Sequence, residues 1–221
     1  MFITSKPYNL PVAIAPGKLG FSRMNPLALL VQLFTGVQAR WMGCTPESKQ
    51  RIYFANHTSH FDFLILWAVL PPNLRERTTA AGAADYWTKG PLRRWLCEKV
   101  FQVALIERQN VTRKNNPVTQ LTAILDQGKS LIIFPEGTRS TDDQLHDFKP
   151  GIYHLAKARP NVDLVPAFID NANRVLPKGE FLPVPLICSV TFGTPLRLES
   201  TEHKEQFLER ARLAVQECAH L

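Results

Sequence analysis

Strand-like and helix-like stretches alternate along the chain. That alternation predicts an α/β fold: a single domain whose central mixed, mostly parallel sheet is flanked by helices, with an N-terminal amphipathic helical segment. Two further observations narrow the prediction. Residues 52–55 (IYFA) and 131–134 (LIIF) are short uninterrupted apolar runs, the pattern of strands buried on both faces. The 221 residues hold no internal repeat, low-complexity tract or Gly/Ser linker, and a chain of this length buries one sizeable core.

Taken in order, the strand at 52–55 leads into an apolar helix from about His60 to Leu70, which stops at Pro71-Pro72. Residues 78–84 (TTAAGAA) are weakly strand-like. A helix carrying Trp87, Leu92, Trp95 and Leu96 follows, then a strand at 103–106. Asn116-Pro117 reads as an N-cap with Pro at the first helical position, Gly128 as the matching stop, and Leu121, Ile124 and Leu125 as the inward face. The strand at 131–134 ends abruptly at Pro135-Glu136-Gly137. Residues 151–159 form a short helix, and 162–169 and 186–192 are further strands. An amphipathic helix near 201–218 closes the chain, with Phe207, Ala211, Ala214, Val215 and Cys218 inward.

Charge restricts the partners. The 26 Lys and Arg against 19 Asp and Glu give +7, and the excess is N-terminal: residues 1–120 carry 15 basic and 6 acidic side chains, residues 121–221 carry 11 and 13. The first 46 residues hold Lys6, Lys18, Arg23 and Arg40 and no acid. An anionic partner is expected, and with no nucleic-acid motif present, nucleic acid is not that partner. The four cysteines, Cys44, Cys97, Cys188 and Cys218, are scattered without C-x-x-C spacing, which suits a reducing compartment and argues against a zinc ribbon.

The N-terminal charge-free window, residues 24–39, has sixteen residues and includes Gln32, Thr35, Gly36 and Gln38. A spanning helix needs about 20 mainly apolar residues, so a transmembrane helix is the weakest reading. Leu27, Leu30, Val31, Phe34 and Trp41 fall on one helical stripe between Arg23 and Arg40. That stripe fits a helix lying on an anionic leaflet, and equally a helix packed on the domain's own core.

Two strings carry chemistry. The first is Asn56-His57-Thr58-Ser59-His60-Phe61-Asp62, at a strand end. On one continuous helix, residues five apart would point about 140° from each other, so His57 and Asp62 meet only if His57 lies in the loop before the helix. Ser59-x-x-Asp62 supplies that geometry as a capping-box pattern with Ser59 as N-cap. The Asp could then fix one imidazole nitrogen and leave the other as a general base. No Gly-x-Ser-x-Gly elbow offers a covalent nucleophile, so a substrate hydroxyl would attack directly. A plain helix cap or structural His–Asp pair stays open here, as does a metal set of His57, His60 and Asp62. Asn56-His57-Thr58 also matches a glycosylation sequon.

The second string is Phe134-Pro135-Glu136-Gly137-Thr138-Arg139-Ser140. Gly137 permits close backbone approach, Thr138 and Ser140 offer hydroxyls, and Arg139 can grip a phosphate bidentately. Glu136, just past a buried strand, sits where carboxylates tend to be paired or functional.

His-x4-Asp followed some 70 residues later by FPEGTRS closely resembles the glycerolipid (lysophospholipid) acyltransferase family, which includes the 1-acylglycerol-3-phosphate acyltransferases. Ile106-Glu107-Arg108, Phe148-Lys149-Pro150-Gly151 and Val165-Pro166-Ala167-Phe168-Ile169 resemble three more family blocks, collinear over about residues 50–170. The chain departs from the pattern at Gln102-Val103, where a Gly usually opens the second block, and at Ala167, commonly Val.

The resemblance implies transfer of a fatty acyl group from acyl-CoA or acyl carrier protein to a lysophospholipid hydroxyl. His57 and Asp62 would be catalytic, and Arg108, Glu136, Gly137, Thr138 and Arg139 substrate-binding. Main-chain N–H groups near Gly137 would serve the oxyanion. No metal or organic cofactor is implied. Residues 1–46 are expected to form a basic, amphipathic membrane-associating segment and 47–221 the acyltransferase domain, on the cytoplasmic side of a membrane as a peripheral or monotopic protein. A different acceptor such as glycerol-3-phosphate, a metal-dependent hydrolase, and a silent peripheral membrane-binding module remain as alternatives.

Overall fold

The computed structural model describes residues 25–59, 61–83, 90, 103–106, 116–140, 144–171 and 188–221. Its strands are β1 (Gln38–Trp41), β2 (Arg51–Ala55), β3 (Thr78–Ala83), β4 (Ala104–Ile106), β5 (Ser130–Ile133), β6 (Asp163–Asp170) and β7 (Ser189–Phe192). The described helices are α1 (Pro26–Thr35), α2 (Asp62–Val69), α3 (Pro72–Arg75), α4 (Pro117–Asp126), α5 (Gly151–Ala158) and α6 (Lys204–Cys218). The expected helix around Trp87 to Leu96 lies outside the described residues.

The strands form one sheet in the order β1-β7-β6-β2-β5-β3-β4. Only β6–β7 is antiparallel; the other five neighbouring pairs run parallel. The expected mostly parallel mixed sheet is thus present. Strand β2 is buried along its whole length, as its unbroken apolar run requires of a central strand covered on both faces. Tyr53 and Ala55 point into a core shared with Ile65, Leu66 and Leu70 of the α2 side. Ile52 and Phe54 point the other way, onto Leu121, Ile152, Leu155, Phe207 and Ala211 of α4, α5 and α6.

Several local expectations hold for the reasons given. Asn116 Oδ1 accepts the Val118 N–H at the start of α4, and Gly128 past its end takes φ +75°. In α6 the buried positions are Phe207, Ala211, Val215 and Cys218, one stripe at helical spacing; Ala214 is half-buried. Gly193 lets this helix end approach the sheet: a Cβ there would lie 2.6 Å from Cys218 Sγ.

Two elements differ from expectation. Strand β1 has no apolar run to announce it; it is an edge strand, alternately exposed and half-buried, whose Trp41 stacks on Phe192 at 3.9 Å. Trp41 therefore leaves the helical stripe assigned to it. Helix α1 splits that stripe, with Val31 inside and Leu30 and Phe34 outside. Ala28, Val31 and Thr35 are buried, with Ala28 and Val31 packing against Leu64, Trp67 and Ala68 of α2. Gln32 adds a hydrogen bond from Nε2 to the Ala68 carbonyl. Leu30, Leu33 and Phe34 are left 50%, 72% and 55% exposed. Residues of the expected N-terminal segment thus supply both a packed helix and a sheet edge. No helix among the described residues is long and apolar enough to cross a membrane.

The register of the central strands matters most for the site. Phe54 of β2 pairs with Ile133 of β5, and the two run parallel. The chain therefore leaves both strands at one edge of the sheet, and residues at equal distance beyond that pair emerge side by side. Three residues on, these are His57 and Glu136. In an open parallel sheet this carboxyl edge is where a crevice forms.

Candidate active site

His57 follows the end of β2 in a short loop, and Asp62 opens α2. His57 Nδ1 lies 2.8 Å from Asp62 Oδ2. The same oxygen accepts the N–H groups of Thr58 at 2.7 Å and Ser59 at 2.8 Å. A carboxylate oxygen so engaged is an acceptor, so Nδ1 carries the proton and Nε2 is left as the basic nitrogen. Asp62 is fully buried; Oδ1 has no hydrogen-bond partner among the described residues. The Phe134 ring stacks on the imidazole at 4.4 Å between centroids.

The capping box is only half made. Asp62 reaches back to the Ser59 N–H as expected, but Phe61 is the N-cap, and Ser59 Oγ accepts from the Phe61 N–H at 3.3 Å. The helix starts later than the Ser-x-x-Asp spacing implied because Asp62 itself satisfies the loop's N–H groups. His60, a member of the alternative metal set, lies outside the described residues.

Glu136 differs from expectation. It is 3% exposed, and its two oxygens are taken by main-chain donors: Oε1 by the His57 N–H at 2.8 Å, Oε2 by the His146 N–H at 3.0 Å. Burial pushes its carboxyl above the ordinary carboxylate value, against the pull of those two N–H groups. Where the resemblance implies a contact with the acceptor, both oxygens are turned to main-chain N–H groups. Gly137 takes φ +76°, and a Cβ there would lie 3.3 Å from Lys149 Cγ, so the turn requires glycine. The Gly137 N–H donates to the Phe134 carbonyl at 3.1 Å, so the expected oxyanion donor is not Gly137 itself.

Thr138 and Arg139 are exposed. The turn that bears them is tied to the His–Asp loop, since the next N–H, that of Ser140, donates to the His57 carbonyl at 2.8 Å. The FKPG string closes the far side: Phe148 packs edge-on against Phe54, and the Lys149 N–H donates to the Pro135 carbonyl at 2.8 Å. Strand β4 runs parallel to β3 and ends at Ile106 on the same sheet edge; Arg108 lies outside the described residues.

Asn56, which opens the first string and its sequon, anchors the loop. Its carboxamide accepts the Ile169 N–H at 2.8 Å and donates to the Ile169 carbonyl at 3.0 Å, extending the β2–β6 pairing by one side chain. Its place directly after a buried strand was the available signal. Burial raises the Cys188 and Cys218 thiols to about 11 and about 12, so neither is a thiolate nucleophile. Among the described residues no group of three or more His, Cys, Asp or Glu could hold a metal ion.

A family model described as Acyltransferase matches residues 41–170, more than half of the chain. The chain belongs to the acyltransferase family. The match covers the sheet from Trp41 to Asp170, and with it both His57–Asp62 and Glu136–Arg139. The chain is 28% identical over 172 residues to a 1-acyl-sn-glycerol-3-phosphate acyltransferase of Limnanthes douglasii, covering 77% of this chain and 58% of that protein. It is 25% identical over 175 residues to the same-named protein of Haemophilus influenzae, covering 70% and 69%. The chain thus spans somewhat more than half the length of the Limnanthes relative. The crystal structure of a 1-acyl-sn-glycerophosphate (LPA) acyltransferase from Thermotoga maritima shares this acyltransferase's fold, with a TM-score of 0.67, 18% identity, and 88% and 76% of the two chains covered.

Proposed function

We propose that this acyltransferase moves a fatty acyl group from an acyl thioester, of coenzyme A or acyl carrier protein, to the free hydroxyl of a lysophospholipid, with 1-acylglycerol-3-phosphate as the acceptor and phosphatidate as the product. The observation that carries this reading is the Nδ1-tethered His57, with Nε2 uncommitted among the described residues, beside a turn that presents Arg139. The names of the relatives support the acceptor.

His57 Nε2 takes the acceptor's hydroxyl proton as that oxygen attacks the thioester carbonyl carbon. The tetrahedral oxyanion collapses, the C–S bond breaks, and the leaving thiolate takes the proton from the imidazolium. An ester and a free thiol result. Asp62 stays ionised throughout and balances the transient positive charge. Arg139 and Thr138 bind the acceptor phosphate, with Arg108 as a further grip. The chemistry asks for no metal and no cofactor beyond the thioester substrate.

The test is acyl transfer from labelled acyl-CoA and acyl carrier protein to a panel of lyso acceptors and glycerol-3-phosphate. Transfer to no acceptor would refute the reading. Arg139→Ala is expected to raise KM for the phosphate-bearing acceptor by roughly tenfold or more, the scale of one lost charge-assisted bond, with little change in kcat. An unchanged KM removes Arg139 from the phosphate site.

We also propose that α1 lies on an anionic membrane surface, on the cytoplasmic side where acyl thioesters are supplied. Leu29, Leu30, Leu33 and Phe34 give it an exposed apolar face, while Ala28 and Val31 hold it to α2. Replacing Leu33 and Phe34 by Glu is expected to abolish pelleting with phosphatidylglycerol liposomes while leaving thermal unfolding unchanged. Full pelleting of that variant would rule out α1 as the anchor.

A further inference from the structure

We propose that Glu136 is a positioning residue for His57, acting on its main chain and not on a substrate. The inference rests on the proposed role of His57 as general base.

The β2–β5 register delivers His57 and Glu136 to the same place, each three residues past the paired Phe54 and Ile133. There the two Glu136 oxygens receive two convergent N–H groups, of His57 and of His146, from loops otherwise separate in sequence. A carboxylate accepts on both oxygens, which a carboxamide cannot do, and this accounts for a charged group where burial disfavours charge. The remaining polar groups of His57 are engaged too. Its carbonyl accepts the Ser140 N–H, its Nδ1 donates to Asp62, and the preceding residue, Asn56, is bonded twice to Ile169. Nε2 is thus held in one place by contacts on every side but its own. Glu136 joins the two motifs through a side chain, alongside the Ser140 main-chain bond and the Phe134 stack, and it meets the reacting atoms only through His57.

Glu136→Gln keeps the shape but turns an NH2 toward one of the two N–H donors. The expected result is a kcat lowered by about tenfold to a hundredfold, the scale of a small misplacement of a catalytic group, with the lysophospholipid KM within about twofold of wild type. A raised KM with kcat unchanged would make Glu136 an acceptor ligand and overturn the proposal, as would no change in either. Amide exchange at His57 gives a reading independent of turnover and of the variant's folding. In the wild-type protein that N–H is expected to be as protected as those of β2, and exchange at an exposed-loop rate would overturn the clamp. Should the wild-type protein transfer acyl groups to no acceptor, the function reading fails while the exchange measurement still decides whether Glu136 holds the loop.

Discussion

With His57 replaced by Ala, kcat is expected to fall by about 10³-fold, within the range a positioned general base supplies. The loop should survive the change. Asn56 keeps its two bonds to Ile169, and the main-chain bonds of residue 57 to Glu136 and Ser140 do not involve the imidazole. The acceptor KM should accordingly stay close to wild type, and the far-ultraviolet dichroism should be unchanged. Single-turnover acyl transfer with acyl-CoA measures the loss, and added imidazole should restore part of it by entering the vacated space beside Phe134. Near wild-type turnover would show that no proton passes through His57.

Asp62→Asn is expected to cost about 10²–10³-fold in kcat by removing the charge that stabilises the imidazolium. The direction of the new amide follows from the bonding. Among the described residues Oδ2 receives three donors and Oδ1 none, so the Asn oxygen must take the Oδ2 position to keep the bonds from His57, Thr58 and Ser59. The NH2 is then forced into a buried position with no acceptor among the described residues, at a stability cost of about 1–3 kcal/mol set against the relief of no longer burying a charge. The tautomer of His57 is preserved in this arrangement, so the loss reads out charge alone. A turnover loss below threefold would mean that Asp62 serves only to cap the loop.

The legible parts of this fold are those where one local pattern carries the whole physical requirement. The runs at β2 and β5 are apolar because both faces of a central strand are covered. Asn116 and Gly128 bracket α4 because helix ends leave main-chain groups to satisfy. The two motifs were legible because their residue types are unusual at strand ends. Strand β1 was not, since an edge strand needs little burial and the alternation of four residues, QARW, is too short to stand out. The stripe of α1 left its inward face open, because bulk alone does not tell a core contact from a lipid-facing residue; close approach to α2 selects the small Ala28 and leaves Leu30 and Phe34 outside.

Sequence by itself determined the α/β alternation, the two chemistry-bearing strings and the need for His57 to sit in a loop ahead of its Asp. Only the tertiary structure decided that Glu136 faces inward to hold His57, that Asn56 anchors the loop, and that Asp62 rather than Ser59 organises the helix start. The physical reason is register. Residues 79 apart become neighbours because β2 and β5 pair in parallel at Phe54 and Ile133, and no spacing along one chain encodes which strands pair or where.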